Sequence, residues 1–295
     1  MTPAVEYLRQ GQLSQCLDAL QAQVRQQPAD PKLRVFLFQL LAVLGRWDRA
    51  LAQLKVAGEM DPTCIPLAQI YEPALHSEVL RAEVFAGKRT PIIFGEPEPW
   101  MGLLVQANEL TGKGNDAASQ EVRQRALEEA PAVAGSVDGK PFEWIADADP
   151  RTGPMLELIL NGRYCWAPFH RIHSLQFEPP TDLRDTVWAP VQVQWSNGGE
   201  AVALVPTRYP GSEASEDPAI RLARKTQWLS RDGGLEVGVG QRLLATDESD
   251  YALLEIRSIK IGEPPAVTGD RPAKAESGDE GRGGAAPAAG EARDG

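Results

Sequence analysis

The chain has 295 residues, 42% of them hydrophobic, with 41 acidic against 30 basic side chains and a formal charge of -11 at pH 7. That length suits two ordinary domains with separate cores, and the acidic balance argues against a nucleic-acid or anionic-membrane partner, since each asks for a basic face. The sequence offers neither the roughly eighteen unbroken apolar residues of a membrane span nor a basic start followed by an apolar run, so a cytoplasmic protein is expected.

The first elements repeat. Gly11, Leu13, Cys16, Leu20 and Pro28 recur 34 residues later as Gly45, Trp47, Ala50, Leu54 and Pro62. Each frame reads as the end of one helix, a glycine turn, a second helix and a proline stop, which is the period and plan of a tetratricopeptide hairpin. The leading helix, carrying Val5, Tyr7 and Leu8, is short. Residues 31–44 have apolar side chains around most of the helix and form the spine of the pair; residues 47–57 carry a one-sided stripe and lie on it. A further helix over 71–86 closes the repeats, with Gly87 as its stop. After a proline-rich loop over 88–99, residues 100–110 and 117–130 read as a degenerate third hairpin whose turn, 111–116, is longer than a standard repeat uses.

Composition shifts near Ala134 from helix formers to turns, aromatics and alternating apolar residues. The predicted fold class is therefore α+β: TPR-like helical hairpins over 1–134, a β-rich mixed domain over 135–261 and a disordered tail over 262–295. Residues 156–160 and 164–169 flank Asn161-Gly162, the signal of a hairpin closed by a type I′ turn. Strands are predicted over 172–177, 187–195 and 201–205, with Asn197-Gly198-Gly199 turning the last pair. Residues 217–229 have near-helical spacing, and 251–261 read as one closing strand. The tail holds a single large aliphatic, Val267, too little apolar surface to offset the entropy of ordering it.

Few residues suggest chemistry. Cys16, Cys64 and Cys165 are too scattered for a disulfide framework or a zinc cluster, and Cys165, His170 and His173 alternate faces on a strand without a fourth ligand. Neither Thr111-Gly112-Lys113-Gly114 nor Gly238-Val239-Gly240 completes a nucleotide-binding pattern. The alternative to a binding protein is a metal-dependent hydrolase using Glu143, Asp147 and Asp149 with His170; the plainer reading makes these carboxylates turn formers and caps, as for Asp182 and Asp185 beside Arg184. Carboxylates of an enzyme should converge in a pocket, whereas structural ones should cap amides or pair with Arg151 and Arg163. No cofactor or metal site is predicted.

The runs Asp138-Gly139-Lys140-Pro141-Phe142-Glu143-Trp144-Ile145-Ala146-Asp147-Ala148-Asp149-Pro150-Arg151 and Asn161-Gly162-Arg163-Tyr164-Cys165-Trp166-Ala167-Pro168-Phe169, followed by Asp182-Leu183-Arg184-Asp185-Thr186-Val187-Trp188-Ala189-Pro190 and Arg208-Tyr209-Pro210-Gly211-Ser212, resemble in the same order the ImpE family, also called TagJ, accessory proteins of bacterial type VI secretion. The resemblance covers residues 1 to about 260. It implies a non-enzymatic cytoplasmic adaptor that binds the N-terminal helix of the sheath subunit TssB and associates with the ATPase ClpV. Repeat scaffolds receive helices on a concave surface, here expected to include Lys32, Val35, Phe38, Gln39 and Ala42 of the spine, or Trp166 and Trp188 if the sheet forms the groove instead.

Overall fold

A computed structural model describes residues 2–262, which belong to one compact unit; the tail predicted from residue 262 lies, from residue 263 on, outside the described residues. The helical half begins with α1 (Pro3–Arg9), α2 (Leu13–Gln26), α3 (Pro31–Val43) and α4 (Trp47–Met60), followed by α5 (Ile65–Phe85). The 34-residue period is visible in the backbone. Gly11 and Gly45 take φ of +73° and +66°, and Gln12 N–H donates to Tyr7 C=O at 2.8 Å just as Arg46 N–H donates to Leu41 C=O at 2.9 Å. Both are helix ends closed by a glycine in the left-handed region. Downstream, Cys16 and Ala50, like Leu20 and Leu54, are fully buried where the helices cross.

After β1 (Ile92–Ile93) come α6 (Pro99–Gly112) and α7 (Asp116–Glu129). The predicted long turn between them is corrected: α6 continues to Gly112, and the turn is three residues, as at 10–12 and 44–46. Gly114, at φ +75°, repeats the closure, with Asn115 N–H on Leu110 C=O at 2.9 Å. Lys113-Gly114 reads as loop, yet it is the same helix stop used in the first two hairpins.

The strands are β2 (Gly135–Val137), β3 (Lys140–Phe142), β4 (Ile145–Asp147), β5 (Met155–Leu160), β6 (Arg163–Pro168), β7 (Ile172–Phe177), β8 (Trp188–Trp195) and β9 (Glu200–Pro206). The four-residue helix α8 (Pro218–Arg221) precedes β10 (Thr226–Ser230), β11 (Glu236–Gly240), β12 (Leu243–Thr246), β13 (Asp250–Ala252) and β14 (Ser258–Ile261). Nine strands form one sheet in the order β1-β6-β5-β9-β8-β7-β14-β2-β3, with β13-β12-β4 and β10-β11 as separate small sheets. Asn161 and Gly162 (φ +50° and +73°) make the expected tight turn between β5 and β6. Two expectations fail. Residues 217–229 hold only α8 before Ala223 (φ +53°) ends it and the chain extends into β10; Trp228, counted toward helical spacing, is a strand residue. Residues 251–261 are broken by the 3-10 turn Leu253–Glu255, so the final strand is β14 alone.

The large sheet is buried along one face and, on the other, only where the helices cover it, so that Gln192 and Val202 on that second face stay exposed. One face packs Leu156, Leu158, Val191 and Val193 against Ile145 and Leu244 of the small sheet. The other sends Ile159, Trp188 and Leu204 into the same core as Leu20, Phe38, Leu54 and Tyr71. Even β1, from the loop after α5, pairs parallel with β6 through Ile92 opposite Cys165.

The glycine turns give a comparison that checks this account. An alanine Cβ at Gly114 meets nothing within 4 Å, whereas at Gly45 it meets Glu213 Cγ at 2.4 Å and Cβ at 2.8 Å. Gly114→Ala should cost about 1–2 kcal/mol, the backbone penalty alone, and Gly45→Ala measurably more, read as denaturant midpoints of the two variants.

Candidate functional site

A groove of about 470 Å³ opens between α1, the N-terminal half of α3 and the loop before β8, lined by Val5 and Leu8, by Lys32, Val35 and Phe36, and by Leu183. Each wall has a local cause. Asp30 caps α3 by accepting the Lys32 N–H at 2.8 Å, and Pro31 supplies the first-turn φ. The opposing loop is a 3-10 turn, Leu183–Thr186, closed by a capping box in which Asp182 and Asp185 exchange bonds with each other's main chain. Asp185 Oδ2 also accepts the Thr181 N–H at 2.8 Å, and Arg184 Nε donates to Tyr71 Oη at 3.1 Å, tying the loop to α5. Asp182 and Asp185 are therefore caps.

Of the predicted docking residues, Lys32 is exposed and Val35 half-buried in this groove, with Gln39, only 5% exposed, at its floor. The other four are corrected: Phe38, Ala42, Trp166 and Trp188 are fully buried and offer a partner no surface. Phe38 and Ala42 lie on the side of α3 turned to the core. Trp188 donates its indole N–H to Glu78 Oε1 at 2.9 Å between the rings of Tyr71 and Trp47, and Trp166 donates to Tyr164 Oη at 2.6 Å beside Phe85. A tryptophan needs a partner for that N–H when buried, and both have one inside the protein.

The acidic cluster separates. Glu143 is exposed, while Asp147 and Asp149 are buried among arginines. Asp149 accepts the Arg151 main-chain N–H at 2.9 Å, Gly238 N–H at 2.9 Å and the Arg151 guanidinium at 2.6 Å. Asp147 accepts Asp149 N–H at 2.9 Å and Tyr209 O–H at 3.1 Å and pairs with Arg242. Burial raises its carboxyl to about 6, against the pull of Arg242. These are the contacts expected of structural carboxylates, except that Arg163 takes no part and Arg242 does. His170 Nε2 lies 2.9 Å from Glu98, His173 Nδ1 lies 3.1 Å from the Ile261 carbonyl, and no group of three metal-ligating side chains occurs among the described residues.

What sequence reasoning missed is Glu157, fully buried at the centre of this network. Arg81 of α5 grips it through Nε at 2.7 Å and Nη2 at 2.9 Å, while Arg242 reaches it from the link between β11 and β12 and Tyr164 from β6. Burial alone would raise its carboxyl, but Arg81 and Arg242 outweigh that and hold it at about 2. The structural role of Arg208, a residue of the family-like run 208–212, was also missed. Its Nη1 donates to Val43 C=O at 2.9 Å, satisfying the carbonyl end of α3 from the β-rich half. The available signal was a charged residue inside an apolar strand, Leu156-Glu157-Leu158, which demands a buried partner.

Fold and groove together define a helical-repeat scaffold joined to a β-rich half. A tetratricopeptide-repeat family matches residues 7–71, and the family described as ImpE protein matches residues 139–260. The chain is 50% identical over 256 residues to the type VI secretion system accessory component TagJ of Pseudomonas aeruginosa, an alignment spanning 87% of this chain and 90% of that protein. A crystal structure of protein VPA1032 from Vibrio parahaemolyticus superposes with a TM-score of 0.81 at 25% identity, covering 89% of this chain and 98% of that one. The chain belongs to the ImpE/TagJ family.

The network predicts a pH signature. A carboxyl held at about 2 instead of its ordinary 4.5 stabilises the fold above pH 4.5, and that contribution is lost as pH falls toward about 2. Asp147, raised from 3.8 to about 6, acts in the opposite sense: its contribution is greatest below pH 3.8 and is lost as pH rises toward about 6. Glu157→Gln should cost about 3–5 kcal/mol at neutral pH, because two buried guanidiniums lose their shared charge, and should flatten the loss of stability between pH 4.5 and 2 in urea titrations.

Proposed function

We propose that the protein is a non-enzymatic cytoplasmic adaptor of a type VI secretion system, receiving the N-terminal helix of the sheath subunit TssB and linking it to the ATPase ClpV. The observation that carries the reading is the groove beside α3. It is apolar along Val5, Leu8, Val35 and Phe36, has Lys32 on its rim, and lies on a repeat scaffold whose helices are held from behind by the sheet. An amphipathic helix presenting residues at i, i+3, i+4 and i+7 could bury its stripe there. Two further points support the assignment: the similarity to TagJ over most of the chain, and the engagement of Asp147, Asp149 and Glu157 by arginines, which leaves these carboxylates holding the fold. ClpV would be met on another surface, so that both are bound together.

Val35 is the anchor to test, because it reaches the groove without being part of the sealed core. Val35→Asp should leave the thermal midpoint nearly unchanged and weaken a TssB N-terminal helix peptide by about 30-fold in titration calorimetry, the loss of a hot-spot contact. Unchanged affinity would remove the groove from the reading, and absence of binding by the parent chain would remove TssB.

A further inference from the structure

The hairpin β10–β11 carries an open edge that the groove reading does not use. Its register pairs Thr226 with Gly240 and Ser230 with Glu236. Bonds beyond both ends, Gln241 N–H to Lys225 C=O at 3.0 Å and Arg231 N–H to Leu235 C=O at 2.8 Å, place the hydrogen-bonded pairs on the odd-numbered residues of β10. The main-chain groups of Thr226, Trp228 and Ser230 therefore point away from β11. The far side of β11 is occupied: Gly238 N–H donates to Asp149 at 2.9 Å, Gly240 N–H to Ser212 Oγ at 2.7 Å, and Gly240 C=O accepts the Tyr209 N–H at 2.9 Å. One edge is built into the protein, and the other meets no main-chain partner among the described residues.

Natural edges of this kind are blunted by proline, a bulge or a charge within the strand. β10 has none of these. Its sequence is Thr-Gln-Trp-Leu-Ser in unbroken register, with Trp228 38% and Leu229 41% exposed. Tyr209, its ring centroid 5.6 Å from that of Trp228, supports the indole from below. Charge stands only at the ends, Lys225 and Arg231, each in a single partly exposed ion pair, with Asp217 at 3.2 Å and with Asp116 at 3.6 Å. Both lie on the strand face that carries Leu229. A second copy is a poor occupant, since an antiparallel pair centred on Trp228 would set Lys225 opposite another Arg231, like charge against like.

We propose that β10 is a docking edge that accepts an extended segment of a partner protein, apolar at its centre and acidic at each end. The segment extends the hairpin to three strands through the main-chain groups of Thr226, Trp228 and Ser230. Its central side chains cover Trp228 and Leu229, and its terminal carboxylates meet Lys225 and Arg231, six residues apart on one face.

The test uses the full chain and a fluorescein-labelled peptide, acetyl-Glu-Thr-Val-Val-Val-Thr-Glu-amide, against a control with lysine at both ends, followed by anisotropy. The acidic peptide should saturate with a Kd below about 100 μM and bind at least about tenfold tighter than the control. Lys225→Glu with Arg231→Glu should reverse that preference. Trp228→Pro, which removes an outward N–H while leaving the bonds to β11, should abolish binding with the thermal midpoint nearly unchanged. Equal affinity for the two peptides, or no saturation by about 1 mM, overturns the proposal. So does a dimer of the full chain that Trp228→Pro dissolves, which would give the edge to a second copy, or binding that appears only after residues 263–295 are removed, which would give it to the chain's own C-terminal segment.

Discussion

Glu157 is the charge on which the two halves of the molecule depend. It sits on β5 with no exposed surface, and Arg81 reaches it from α5 while Arg242 reaches it from the residue just before β12. Arg242 also holds Asp147 of β4, so one guanidinium joins two carboxylates from different sheets. Buried ion pairs add little net stability compared with well-packed apolar groups, but breaking one is expensive. The network therefore bears more on how α5 is placed than on net stability: in this placement Arg81 meets Glu157 and the Arg208 carbonyl, and moving α5 would strand a buried charge. Arg81 Nη2 further donates to the Arg208 carbonyl at 2.7 Å, and Arg208 in turn ends α3, so the constraint passes from the sheet to the spine of the repeats.

The groove inherits its shape from this arrangement. A pair of tetratricopeptide hairpins has too few neighbours to bury its own apolar faces. Here the large sheet stands where further repeats would, with Trp188 packed among Tyr71, Trp47 and the core-facing side of α3. The inner side of α3 is thereby sealed and its outer side left open. Lys32 and Val35 remain within reach of a partner while Phe38 and Ala42 do not, although all four belong to one helix.

The repeats were legible in the sequence because their information is local: a glycine closes each helix and small residues mark each crossing, at a fixed spacing. Asn161-Gly162 was legible for the same reason. The third hairpin was partly hidden, since Thr111-Gly112-Lys113-Gly114 looks like a long loop until α6 is seen to run through its first two residues. The tryptophans misled because alternation in a strand tells which residues share a face but not which face the helices cover. Trp166 and Trp188 look like exposed anchors and are core. Residues 217–229 failed through periodicity, because a few apolar residues before Ala223 and Trp228 beyond it fall near helical spacing across the break between α8 and β10. Glu157 and its arginines are far apart in sequence, and nothing local announces their meeting.

The most direct measurement of the central claim is hydrogen exchange of the full chain, alone and mixed with the proposed partner TssB, followed peptide by peptide. The account predicts that TssB slows exchange in α1, in the first turns of α3 and in the 181–186 loop, while β5 and α5, already locked by Glu157 and Arg81, stay unchanged. Protection confined to the β-rich half, with α1 and the start of α3 exchanging as in the free protein, would contradict it.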